Sequence, residues 1–96
     1  MDLERIRQLL KKHRKELEEK YGVKTIGIFG SYVRGEQKET SDVDILVEFD
    51  RPVDFFEFLE LEEYLEEILN VKVDLVLERS LKPGIAKSVL KEVVYV

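Results

Sequence analysis

The chain has no cysteine and no tryptophan, and only one histidine and two prolines in 96 residues. Without cysteine there is no disulfide framework and no thiolate zinc site. With His13 alone, a histidine-cluster metal site within the chain is excluded, and a Ser-His-Asp triad would rest on that one residue. Any metal must then be hard and held by oxygen, which means magnesium, manganese or calcium. No apolar run approaches the roughly 20 residues a membrane span needs. The N-terminus is charged and lacks an apolar signal core, so the expected location is cytoplasmic. The formal charge of −5 argues against a broad basic face of the kind that binds duplex phosphates. The one basic cluster, Lys11-Lys12-His13-Arg14-Lys15, runs straight into Glu16, Glu18 and Glu19 and reads as a charge-paired helix. Direct nucleic-acid binding is therefore not expected.

What is present is enough for one domain, expected to span residues 1–96, with 44% apolar residues and a thin core. Residues 2–21 read as one amphipathic helix, with Leu3, Ile6, Leu10, Leu17 and Tyr21 at helical spacing, Asp2 as N-cap and Gly22 as stop. His13 lies on that apolar stripe, as a partly buried residue at the core edge. Val23 to Phe29 reads as a strand in which Gly27 allows another backbone to come close. Tyr32 to Gly35 can make a helical turn. Residues 43–49 form a second strand, with Ile45, Val47 and Phe49 on one face and Asp42, Asp44, Leu46 and Glu48 on the other.

Pro52 fits the first turn of the next helix. Its apolar face is Phe55, Phe58, Leu59, Leu61, Leu65, Ile68 and Leu69, its solvated face is Glu60, Glu62, Glu63, Glu66 and Glu67, and Asn70 ends it. Val71 to Leu77 is a third strand. Pro83 opens a last helix, roughly Gly84 to Glu92, with Ile85, Val89 and Leu90 inward. The apolar tail Val93-Val94-Tyr95-Val96 needs burial. The expected class is α/β (α+β) in two layers, a short mixed sheet with helices mainly on one face.

A long helix joins the second and third strands, so they should run parallel. The shorter loop after the first strand makes it antiparallel to the second. Gly30-Ser31, Asp42, Asp44 and Asp74 then all arrive at one edge of the sheet. Clustered carboxylates repel one another, and divalent metal relieves that cost. Three of them can hold two ions, which sit about 3.5–4 Å apart in two-metal enzymes. A Gly-Ser turn ahead of a helical segment offers N–H groups and a hydroxyl to phosphate. Phosphate, hard metal and carboxylates together suit phosphoryl or nucleotidyl transfer. Taken alone, Asp-x-Asp reads more simply as structure, with Ser41 and Asp42 capping a loop. The full set is what points to chemistry.

Gly30-Ser31, ten intervening residues, Asp42-Val43-Asp44 and the later strand residue Asp74 resemble the DNA-polymerase-β-like nucleotidyltransferase superfamily. The finer run GSYVRGEQKETSDVDILVEF (residues 30–49), Val73-Asp74-Leu75-Val76 and the ending LKEVVYV look like its minimal branch, the MNT or MntA type. The resemblance covers nearly the whole chain. It implies the polymerase-β-like fold and a magnesium-dependent transfer from ATP. Asp42 and Asp44 would ligate two magnesium ions, Asp74 would ligate the catalytic ion and help activate the attacking hydroxyl, and Gly30 and Ser31 would hold the triphosphate. Arg34 stands at the family's Arg-Gly position, either to contact phosphate or to pair with Glu36 or Asp42. Members of this type are antitoxins of HEPN ribonuclease toxins, some described as adenylylating a tyrosine of that partner. A complex with such a toxin is implied. The alternative is a non-catalytic antitoxin that neutralises its partner by covering it, for which the acidic charge suits a basic surface. A small-molecule transferase is a weaker third reading.

Overall fold

A computed structural model describes residues 1–96. Asp2 caps the first helix, α1 (Leu3–Lys12), by accepting from the Arg5 N–H at 2.9 Å. The expected single helix to Tyr21 is in fact two. At His13 the backbone leaves helical geometry (φ −100°, ψ 11°), and α2 (Arg14–Tyr21) starts afresh. The His13 ring Nδ1 lies 2.9 Å from the Leu9 carbonyl, which also receives the His13 backbone N–H. Two donors of one residue converge on one carbonyl, and local side-chain bonding of this kind competes with a regular helix. His13 is half-buried, edge-on to Tyr64 at 6.1 Å between ring centres. Gly22 stops α2 in the left-handed region, at φ 68°.

Four strands follow: β1 (Val23–Phe29), β2 (Val43–Phe49), β3 (Val73–Leu77) and the short β4 (Val94–Tyr95). Their order across the sheet is β3-β2-β1-β4. β1 is antiparallel to β2 and to β4, while β2 and β3 run parallel, as the connection lengths require. Between β2 and β3 lies the helix α4 (Phe55–Leu69). It begins later than expected. Pro52 stays outside it, and Asp54 caps it through a reciprocal pairing with Glu57. Phe55, expected inward, is 68% exposed at the opening turn, and Phe56 is exposed beside it. Leu61, Leu65 and Leu69 carry the buried stripe. Asn70 ends α4 at φ 54°, so β3 begins at Val73 rather than at Val71.

The core lies between the sheet and α1, α2 and α4. Ile6, Leu10, Leu17, Leu61, Leu65 and Leu69 pack there against Ile26, Ile28, Ile45 and Val47. The other face is covered near β1. Leu46 is 1% exposed, and its register partner Gly27 has Val93 and Tyr95 where a side chain would stand. The last helix, α5 (Pro83–Glu92), buries only Val89, whereas Ile85 and Leu90, expected inward, are exposed. The apolar tail is taken up as β4, and the Val96 N–H donates to the Ile26 carbonyl at 2.9 Å. Two glutamates of α4 turn back onto the outer strand. Glu66 accepts from the Val73 N–H at 3.0 Å and Glu62 from the Leu75 N–H at 3.4 Å. No helix is long and apolar enough to cross a membrane.

Candidate active site

β1 ends at Phe29, and the chain turns through Gly30 into the short helix α3 (Ser31–Arg34), closed by Gly35 in the left-handed region. Gly30 itself sits at φ 83°, ψ −152°, a conformation essentially reserved for glycine. Its carbonyl accepts from the Val33 and Arg34 N–H groups at 3.0 and 3.2 Å. The N–H groups of Ser31 and Tyr32 open the turn, where no preceding helical carbonyl exists for them. The loop from Glu36 to Ser41 is tied down by the Lys38 N–H on Ser41 Oγ at 2.9 Å.

Sheet register brings the acidic residues to this turn. Asp44 pairs across with Phe29 on one side and Asp74 on the other. Asp44 and Gly30 are in direct contact, since a Cβ on Gly30 would stand 2.0 Å from Asp44 Oδ2. Asp42, two residues earlier, is exposed at the entry to β2, and Asp74 is exposed on β3. Partial burial first, then the charges of Asp74 and Asp42 and a hydrogen bond with Asp74, push the Asp44 carboxyl up to about 6, with Arg34 acting weakly the other way. The topology therefore places Asp42, Asp44, Asp74 and the Gly30-Ser31 turn at one sheet edge. The side chains do not close as three ligands on a single point in this arrangement. Asp44 and Asp74 form the close pair. Their chemistry fits a hard divalent cation, because all donors are carboxylate oxygens, and burial followed by the neighbouring carboxylate charges already holds Asp44 towards protonation.

Arg34 does not reach Asp42. It is held by Glu36 at 2.7 Å and by Glu92, the last residue of α5, at 2.6 Å. Glu92 is a site residue that sequence reasoning overlooked. Its Oε2 accepts the Gly30 N–H at 2.8 Å, and its Oε1 accepts from Arg34 Nη1. Partial burial pushes its carboxyl up, but the Gly30 bond and then the bond and charge of Arg34 prevail and hold it below its ordinary range. One signal was available. Glu92 is the only acid in α5 and stands at its C-terminus, where the helix dipole favours a cation. A carboxylate there needs a partner from elsewhere.

The sequence matches the nucleotidyltransferase domain family over residues 10–96. A protein adenylyltransferase, MntA of Thermococcus cleftensis, is 60% identical over all of this chain and 97% of its own length. Among solved structures, one provisionally assigned as a minimal nucleotidyltransferase superposes at TM-score 0.81 with 37% identity, covering 98% of this chain and 95% of that one. A chain of a toxin–antitoxin complex with AMP-PNP matches at TM-score 0.73 and 29% identity, over 94% of this chain and 70% of that one. A chain of the complex between a tri-AMPylated Shewanella oneidensis HEPN toxin and its MNT antitoxin matches at TM-score 0.65 and 27% identity, over 92% and 69%.

Proposed function

This chain belongs to the nucleotidyltransferase domain family, and we propose that it transfers AMP from ATP to a tyrosine hydroxyl of a HEPN-type toxin, so acting as that toxin's antitoxin. The observation that carries this reading is the contact of the Gly30 turn with Asp44, itself in register with Asp74. A phosphate-binding turn and a pair of carboxylates meet at one sheet edge. The similarity to a protein adenylyltransferase and to antitoxin chains supports the choice of reaction and of partner.

In this reading Asp42, Asp44 and Asp74 would hold magnesium. Bound there, the metal would offset the charge of the triphosphate and of the departing pyrophosphate. Ser31 offers its hydroxyl and backbone N–H to the phosphates. Arg34 adds a cation at the rim of the site. The acceptor oxygen attacks the α-phosphorus, the bond to pyrophosphate breaks, and Asp74 helps to draw off the hydroxyl proton. Asp74 is exposed, so the acceptor enters from solvent, as a side chain of another protein would.

Co-expression tests this reading against neutralisation by coverage. A chain carrying Asp42→Asn and Asp44→Asn is expected to copurify with the toxin and yet fail to protect cells. Full protection by that variant at equal expression would overturn catalysis as the basis of antitoxin action.

A further inference from the structure

We propose that Glu92 is a positioning residue of the phosphate turn, the natural partner of the Gly30 N–H, and that it fixes the Gly30 peptide and Arg34 together. The inference rests on the nucleotidyl-transfer reading and revises one part of it. The resemblance implies that Gly30 and Ser31 together hold the triphosphate. In the structure the Gly30 N–H is already donated to Glu92 Oε2 at 2.8 Å, so the donors free to meet phosphate begin at Ser31.

Three observations carry the proposal. First, both carboxylate oxygens of Glu92 are used, one by Gly30 and the other by Arg34 Nη1 at 2.6 Å, and the side chain is only 21% exposed. Second, Gly30 has a backbone that must be held. Its conformation lies outside the regions other residues adopt, and its carbonyl side is fixed by Val33 and Arg34. Glu92 fixes the preceding peptide through the Gly30 N–H, so the peptide groups on both sides of the Gly30 Cα are held. Third, the position is otherwise unfavourable, since a carboxylate at a helix C-terminus faces the negative end of the dipole. Lys91 beside it makes no ion pair with it, and its cationic partner is Arg34, 58 residues away in sequence. The end of α5 and the start of the tail thus brace the turn from the side opposite to Asp44. Glu36 is the other anion on Arg34 and accepts from its Nε, while Glu92 accepts from Nη1 and also holds the Gly30 N–H.

The roles separate in two substitutions. Glu92→Gln keeps an oxygen that accepts from Gly30 and gives up the charge opposite Arg34. Glu92→Ala gives up both. The experiment uses the full chain, with urea unfolding as a stability control. Hydrogen exchange of the Gly30 amide is followed by NMR, and binding of AMP-PNP with magnesium by calorimetry. In the Ala variant the amide is expected to exchange roughly ten- to hundredfold faster, the usual worth of a hydrogen bond to a charged group. AMP-PNP binding is expected to weaken by about tenfold or more on the same basis. In the Gln variant Gly30 protection stays near wild type and binding recovers most of the loss. Unchanged Gly30 exchange in the Ala variant, or equal losses of binding in both variants, would overturn the proposal. If Gly30 exchange responds as expected but the unaltered chain binds no AMP-PNP, the positioning of the turn stands and the nucleotidyl-transfer reading fails.

Discussion

The carboxylate of Asp44 occupies the space beside Gly30 that any side chain would need, with Oδ2 only 2.0 Å from where a Cβ would stand. The Gly30-Ser31 turn and the acidic strand are therefore not two features merely connected by a loop. They are in contact, and the residue type at position 30 sets how closely.

Replacing Gly30 with alanine should therefore fail on two counts. The methyl group collides with Asp44, and alanine resists φ 83°. A strained backbone of this kind costs on the order of 1–3 kcal/mol. Urea unfolding should show a loss of about that size, and AMP-PNP binding should vanish. Wild-type stability and binding in this variant would mean that the turn is not where the structure places it.

The raised carboxyl of Asp44 has a consequence for stability against pH in the absence of divalent metal. The folded chain holds this proton up to about pH 6, whereas the ordinary value is 3.8. Between those values the native state binds more protons than the unfolded one, so stability falls as pH rises. The contribution is fully present below the ordinary value and gone above about 6. Denaturation at fixed temperature in chelator from pH 4 to 7 should show this decline, set against the other carboxylates, and Asp44→Asn should flatten it. An identical profile in the variant would contradict the assignment.

The outer strand β3 is protected by α4. Removing both glutamates, as Glu62→Ala with Glu66→Ala, frees the Val73 and Leu75 N–H groups on the sheet edge. Each hydrogen bond is worth about 1 kcal/mol net, and an uncovered edge invites another strand. Sedimentation should show concentration-dependent self-association in the double variant and none in the wild type at the same concentration. A monodisperse variant of unchanged stability would show that the two side chains are ordinary solvated glutamates.

Gly27 and the tail make a similar test on the opposite edge. A Cβ there would approach Val93 Cγ2 to 2.6 Å and the Val94 carbonyl to 3.2 Å. Gly27→Val should dislodge β4, and with it the end of α5 that presents Glu92. Amide exchange of Val96, whose N–H donates to the Ile26 carbonyl, reports on this directly. Retained protection of Val96 would show that the sheet absorbs the larger residue.

Much of this arrangement was legible because its signals are local. The strands Val23–Phe29 and Val43–Phe49 occupy the very residues that β-branched content and alternation indicated. Gly22 and Asn70 stop their helices in the left-handed conformation their chemistry suggests. Loop lengths were enough to place Asp44 beside Asp74 and Gly30. What stayed hidden is what hydrophobic periodicity does not encode. His13 breaks its helix by competing for the Leu9 carbonyl, which an apolar stripe does not reveal. Phe55 follows helical spacing but lies at the opening turn, exposed to solvent. Ile85 and Leu90 are apolar, which points inward, yet α5 buries only Val89. Glu92 reaches Gly30 across 62 residues, and only the path of α5 brings them together.

The proposed activity of this sheet edge is the transfer of an adenylyl group to a protein. The direct measurement is to incubate the chain with a HEPN-type partner, magnesium and ATP, labelled in parallel on the α- or on the γ-phosphate. The α-label is expected on a tyrosine of the partner, with no γ-label and with loss of labelling in the Asp44→Asn chain. Equal α-labelling with Asp44→Asn, or transfer of the γ-label instead, would contradict that activity.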